Sequence, residues 1–386
     1  MIRAAMRTLI HSVRLISPDL EIEDGALLLE DGRIVSVSET GAARPAADRV
    51  IDGAGRLAMP GFIDIHSHGA DGHDLCDGSP DAVWHIARRK LQEGVTSWLP
   101  TTLTLPAGEL RAAAAVCARY MAAPEFCRVP GLHVEGPFIN PRNAGAQNPA
   151  YTRLPDFAEL LAIHEIAPVC LISLAPELPG ALPFIRAATA AGVVCSAAHT
   201  SATAAEITAA REAGLAHLTH FGNAMTGLHH REIGVVGAGL LDAALKLEVI
   251  ADGIHLCPDM LRLIFQLVSI DRLMLVTDSI AASWIGDGEV TLGGLPVTVK
   301  GGVARLAEGG ALAGSALRYN EGVRNVAEFT GLPLREIVKA TSWNQAVSLG
   351  LEGFGKLEPG YHADVVLLEA DFSVWMTFVR GDPTAG

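Results

Sequence analysis

Residues 61–102, "GFIDIHSHGADGHDLCDGSPDAVWHIARRKLQEGVTSWLPTT", decide the fold. Two apolar runs, GFIDIHSH and VTSWLPTT, flank DAVWHIARRKLQEG, whose apolar residues recur at helical spacing, so the stretch predicts strand, helix, strand. The alternation continues downstream. Six more apolar runs follow: GLHVEGP (131–137), VCLISLAPE (169–177), GVVCSAAHT (192–200), HLTHFGNA (217–224), LEVIADGIH (247–255) and LMLVTDS (273–279). Most are separated by helical segments such as TAAEITAAREAG (203–214). Eight strand and helix units in series predict an α/β fold, a (β/α)8 barrel of the TIM type. The near-continuous apolar character of the runs suits strands covered on both faces.

The two ends of the chain read differently. VRLISPD, GALLLEDGRIVSVSE and VIDGAGRLAMPG, within residues 7–61, alternate short apolar runs with Asp-Gly and Gly-rich turns, as does residues 355–382, GKLEPGYHADVVLLEADFSVWMTFVRGD. These predict a small β-sandwich domain built from both termini, residues 1–58 plus 346–386, around a barrel spanning 59–345.

With 386 residues, 49% hydrophobic and 19% charged, the chain has the length and composition to bury a substantial core. A formal charge of -14 argues against nucleic-acid or anionic-membrane partners. No apolar run is long enough to span a bilayer, and the start, MIRAAMRTLIHSVRLISPD, lacks an apolar core followed by a small-residue cleavage site, so the cytoplasm is the expected compartment. The six cysteines are scattered without a C-x-x-C pair and are expected to be reduced, which leaves histidine and carboxylate to hold any metal.

Chemistry concentrates where the apolar runs stop. His66 and His68 stand one residue apart at the end of the first, and in an extended chain residues i and i+2 point to the same side, where two imidazoles can share an ion. For such a pair alone, one packed and one solvated ring is the simpler outcome. However, Glu135, His199, His220, His255 and Asp278 end the third, fifth, sixth, seventh and eighth runs. Barrel active sites lie at the C-terminal ends of the strands, so the joint placement predicts a metal site with a proton carrier. Competing chemistries fail. GLEGFGKL (350–357) has phosphate-loop spacing but Leu357 where a Ser or Thr is needed, and the chain contains no G-x-S-x-G elbow. None of the five lysines ends one of the eight runs, so a carboxylated-lysine bridge between metals is not available and Glu135 is the candidate bridge.

PGFIDIHSHG, GLHVEGPFINP, CSAAHTSAT, HLTHFGNAMTGLHHRE, VIADGIHL, LMLVTDS, GALAGSAL and NEGVRN resemble, in order and spacing, the N-acetylglucosamine-6-phosphate deacetylases of the amidohydrolase superfamily. The resemblance covers nearly the whole chain. It implies that Glu135, His199 and His220 bind the principal divalent metal, that His66 and His68 can hold a second, and that Asp278 is the catalytic aspartate. One or two ions are therefore expected, zinc first, with iron or another divalent ion as the alternative. The resemblance also implies that Asn223, Ala224, Arg231 and His255 grip an amino-sugar phosphate, and that the chain forms a homodimer. Departures fall around the substrate: Gln147 stands where the family has a histidine near the scissile amide, Ile233 replaces a proline, and Arg318 replaces a neutral residue. N-acetylgalactosamine 6-phosphate or another N-acyl amino sugar is thus an alternative substrate. A non-catalytic binding protein on the same scaffold is the other reading, opposed by the retained Glu135, His199, His220 and Asp278.

Overall fold

The computed structural model describes residues 6–39 and 45–385. Residues 1–5, 40–44 and 386 of the expected small domain lie outside the described residues. All eight apolar runs contain strands. Six of them form one parallel sheet in chain order: Leu132–Glu135, Val169–Leu174, Val194–Ala197, Leu215–Leu218, Lys246–Ile250 and Leu273–Val276. The remaining two, Phe62–Ser67 and Val95–Pro100, pair in parallel with each other. This pair meets the six-stranded sheet at both edges, through Thr102 N–H to the His133 carbonyl (3.0 Å) and Asp278 N–H to the His66 carbonyl (2.9 Å).

A helix follows each of these strands before the next begins, starting with Ala82–Gln92 and Ala107–Ala122. The first buries Ala82, Val83, Ile86, Ala87, Lys90 and Leu91, the one-sided spacing that makes it helical in the sequence. Thr203 and Glu206 form a capping box that starts Ala204–Ala213, and Gly214, at φ 117°, ends it. Ile63, Ile65, Leu99, Leu171, Ile250, Met274 and Val276 converge from five of the parallel strands in one apolar cluster. That cluster gives the strand ends a rigid base.

Strands from both termini join one mixed eight-stranded sheet. Leu57–Pro60 lies at its junction, antiparallel to Val365–Leu368 and parallel to Thr8–Ser17. Thr8–Ser17 changes partner along its length, from Arg49–Asp52 to Leu57–Pro60, with register shifts around Val13 and Ser12 at φ 55°. A bulge of this kind bends a strand and lets one strand serve two neighbours.

A three-stranded antiparallel sheet, Gly288–Leu292, Leu295–Lys300 and Val303–Leu306, follows the last parallel strand and was not foreseen. Its turns are Gly293-Gly294 and Gly301-Gly302, all at positive φ, the two-residue signal for tight hairpins. The six cysteines are free, in line with the sequence reading. No helix among the described residues is long and apolar enough to cross a membrane.

Candidate active site

The strand ends supply the site residues in a repeated way. His66 lies in its strand and His68 just beyond, Glu135 is the last residue of its strand, and His199, His220 and Asp278 each sit two residues past theirs. The last three have left-handed backbones, with φ of 46°, 33° and 50°. That conformation costs a non-glycine residue on the order of 1–3 kcal/mol and persists where surrounding bonds over-determine it. Here the bonds are Asn140 N–H to the His199 carbonyl (3.0 Å), Asn223 N–H to His220 (2.9 Å) and Ser315 N–H to Asp278 (2.8 Å).

Glu135 is the hub. Its Oε1 lies 3.5 Å from His66 Nε2, 3.4 Å from His199 Nε2 and 3.3 Å from His220 Nε2, while Oε2 lies 3.3 Å from His68 Nε2. Asp278 Oδ1 is 3.4 Å from His66 Nε2 and 3.3 Å from His68 Nε2. Two overlapping groups of metal-ligand type result, His66, His68 and Glu135, and Glu135, His199 and His220, all buried.

Hydrogen bonds fix which way the rings present their lone pairs. His199 Nδ1 faces the Asn143 carbonyl at 2.9 Å and His68 Nδ1 faces the Thr101 carbonyl at 3.2 Å. A carbonyl only accepts, so each Nδ1 carries a proton and each ring turns its Nε2 inward. His199 Nε2 and His220 Nε2 are 3.2 Å apart, and neither ring nitrogen of His66 has a hydrogen-bond partner among the described residues. Lone pairs aimed at carboxylate oxygens in a buried space fit a cation, and the N/O donor set suits a divalent ion.

Burial opposes ionisation of Asp278, yet His66 and His68 beside it pull its carboxyl down to about 2. Burial likewise opposes Glu135, and its imidazole neighbours hold it well below the usual carboxylate range. Against the same burial, Glu135 and Asp278 raise His66, and Asp278 and Glu135 raise His68. His133 goes the other way, to about 3, through burial and His66. Its Nδ1 donates to the Ile65 carbonyl (3.0 Å) and its Nε2 meets Ser173 Oγ at 2.7 Å, so it is a structural ring.

All of the cluster but the buried His66 lines a cavity of about 380 Å³, walled further by Asn143, Gln147, Asn223, Ala224, His255 and Leu312 among others. His255 Nδ1 is 2.7 Å from Asp252 Oδ2, which raises its pKa against the effect of burial. Gln147 holds the hub, its Nε2 donating to Glu135 Oε2 while its Oε1 accepts from Thr104 N–H at 2.7 Å. Arg231 is not brought to this wall. It is exposed on the loop after Ala224, with Nη1 2.8 Å from His230 Nε2, and is not among the lining residues.

An amidohydrolase family profile matches residues 57–384. The chain is 37% identical to the N-acetylgalactosamine-6-phosphate deacetylase of Escherichia coli O157:H7, over 97% of this chain and 99% of that one. It is 35% identical to the N-acetylglucosamine-6-phosphate deacetylase of Bacillus subtilis (strain 168), covering 97% and 96%. This chain belongs to the N-acetylglucosamine-6-phosphate deacetylase family of the amidohydrolases. Solved structures agree: the Thermotoga maritima member superposes with a TM-score of 0.88 at 35% identity, covering 98% of this chain and all of that one. A mutant of the Mycobacterium smegmatis member, in complex with N-acetyl-D-glucosamine 6-phosphate, gives 0.92 at 31% identity, covering 99% and 100%.

The amidohydrolase family depends on divalent metal, and this member has candidate ligands at the cavity floor. Three features around the family site went unread in the sequence. Leu292, Ala311, Leu312 and Gly314 bring the inserted hairpins and their return to the cavity wall. Glu248 and His217 are buried behind His66, and Glu248, a carboxylate inside the apolar run LEVIAD, was a visible signal. Lys90, although on a helix, reaches the end of the last parallel strand: its Nζ lies 3.0 Å from Asp64 Oδ2, 3.0 Å from Thr277 Oγ1 and 2.9 Å from Ser279 Oγ.

Proposed function

We propose that this chain is a metal-dependent deacetylase that hydrolyses the N-acetyl group of an amino-sugar phosphate, with N-acetyl-D-glucosamine 6-phosphate as substrate and glucosamine 6-phosphate and acetate as products. The observation that carries the reading is the convergence of Asp278 with Glu135, His68, His199 and His220 in one cavity, with the buried His66 beside them. The names of the similar proteins give the substrate class. Because they include a galactosamine enzyme, N-acetylgalactosamine 6-phosphate is the alternative substrate.

Glu135, His199 and His220 hold one divalent ion in this proposal, zinc in the first instance, and His66, His68 and Glu135 a second. Such an ion lowers the pKa of a water to about 7 and polarises the amide carbonyl. Asp278, ionised at neutral pH, takes a proton from the attacking water and delivers it to the amide nitrogen as the C–N bond breaks, so one carboxylate serves as base and then acid. Oxygen adds to the acetyl carbon, acetate leaves on that side and the free amine on the other. Gln147 keeps Glu135 oriented. Asn223, Ala224 and His255 contact the sugar phosphate from the cavity wall, and Arg231, on the adjoining loop, supplies the fixed cation for phosphate.

The eight parallel strands close as a (β/α)8 barrel in this account, supported by the hydrogen bonds that tie the two-stranded pair to both edges of the six-stranded sheet. Residues 59–345 form the barrel domain, and 1–58 with 346–386 the small β-sandwich domain. The working form is a cytoplasmic homodimer.

Acetate release by metal-replete protein from N-acetylglucosamine 6-phosphate, N-acetylgalactosamine 6-phosphate and their dephosphorylated analogues tests the substrate. The highest kcat/KM is expected on the glucosamine phosphate, and equal rates on the unphosphorylated sugars would refute a phosphate-directed enzyme.

A further inference from the structure

Glu248 has no role in the chemistry above, yet it is fully buried inside the strand Lys246–Ile250. A carboxylate in such a place is costly unless a cation or several donors offset it. Its Oε1 is 3.1 Å from His217 Nδ1, and His217 Nε2 is 2.5 Å from Ser348 Oγ. Its Oε2 faces His66 Nδ1 at 3.6 Å, and neither of these two atoms has a hydrogen-bond partner among the described residues. Charge-assisted bonds of this type close to about 2.7–2.9 Å, so a small ring rotation completes the contact.

The carboxylate only accepts, and this fixes the rings on either side of it. His217 and His66 must each carry a proton on Nδ1, and Ser348 then donates to His217 Nε2. His133, also packed beside Glu248, is held neutral and is already bonded to the Ile65 carbonyl and Ser173. The lone pair of His66 is meanwhile turned to Nε2, which lies 3.5 Å from Glu135 Oε1 and 3.4 Å from Asp278 Oδ1. With Nδ1–H turned to Glu248, Nε2 is the ring nitrogen left to face those two oxygens, an arrangement that suits an ion held between them. One divalent ion at that point satisfies His66 and offsets Glu248 through the ring.

We propose that Glu248 is the positioning residue that orients His66 as a ligand of the second divalent ion assigned above to His66, His68 and Glu135. The proposal rests on the metal-dependent reading above. His217 and Ser348 clamp the carboxylate from behind. Carboxylate partners of metal-bound histidines are worth roughly 10–100-fold in metal affinity.

The test strips the full chain with a chelator, titrates it with Zn(II), and counts bound equivalents by elemental analysis and by competition with a chromophoric chelator. Wild type is expected to hold two equivalents. Glu248→Gln is expected to keep the first with unchanged affinity and to weaken the second about 10–100-fold, while Glu248→Asp recovers part of the loss. Two equivalents at wild-type affinity in Glu248→Gln would overturn the proposal, as would a single equivalent in the wild type. If the Gln variant fails to give a cooperative thermal transition, His217→Gln carries the test, and an unchanged second affinity there also overturns it. Acetate release is measured on the same samples. A wild type that binds two ions but releases no acetate defeats the deacetylase reading alone, whereas an active wild type whose Gln variant keeps both ions defeats only the role of Glu248.

Discussion

His199, His220 and Asp278 each sit two residues past a strand in a left-handed backbone, and the loss of each side chain has a separate signature. His199→Ala or His220→Ala is expected to abolish bound metal and activity together, while His66→Ala removes at most one equivalent; full metal occupancy in His199→Ala contradicts the ligand assignment. Asp278→Asn keeps the shape and an oxygen but cannot shuttle a proton, so kcat is expected to fall by about two to four orders of magnitude with KM and metal content near normal. The residues proposed as ligands stand out in the sequence because each is a local event, a polar residue where an apolar run stops. Gln147 was legible only as a departure near the substrate, and its bonds to Glu135 and Thr104 join residues 12 and 43 positions away, which no local pattern encodes. The position of Arg231 follows from the path of an irregular loop, and hydrophobic periodicity says nothing about such a path. Arg231→Met is expected to raise KM for a phosphorylated sugar far more than for its dephosphorylated analogue, and an equal loss on both assigns the residue a structural role.

Between elements, the contact that matters most for the site is the buried Lys90 of the first helix. It joins Asp64 on the first parallel strand and Thr277 and Ser279 at the end of the last, and Glu93 Oε2 lies 3.3 Å from its Nζ. Removing the ammonium leaves two buried carboxylates unpaired, so Lys90→Met is expected to cost about 3–5 kcal/mol in chemical denaturation. The pH dependence has a definite sign. Burial lowers the Lys90 pKa, but Glu93 and Asp64 outweigh it and the folded value stands above the ordinary 10.5. Stability from this group is therefore complete below about 10.5 and is lost as pH rises through the folded value. Wild type should lose more stability than Lys90→Met on going above that pH, and parallel curves for the two proteins contradict the assignment. The alternation of strands and helices was readable because each element carries its own period, whereas the inserted hairpins were missed although Gly-Gly pairs at 293–294 and 301–302 were there to signal their turns. By contrast, the side on which Lys90 finds its partners depends on elements as many as 189 residues away and emerges only from packing.

At the scale of the whole molecule, a chain of net charge -14 brings four of its 14 histidines and two carboxylates to one cavity above an apolar cluster of the parallel strands. An acidic surface offers no general attraction to an anionic substrate, so phosphate recognition has to come from residues placed at the cavity and its adjoining loop. The family shared with the Bacillus subtilis and Escherichia coli enzymes fixes the reaction class more firmly than the sugar, because the similar proteins include both a glucosamine and a galactosamine phosphate deacetylase. The most direct measurement of the central claim is acetate release from N-acetylglucosamine 6-phosphate by one preparation assayed metal-replete, after chelation, and after divalent ion is restored. Turnover is expected, with its loss on chelation and its return with the ion; steady acetate release from the fully chelated protein, or none from the metal-replete protein, would contradict a metal-dependent deacetylase.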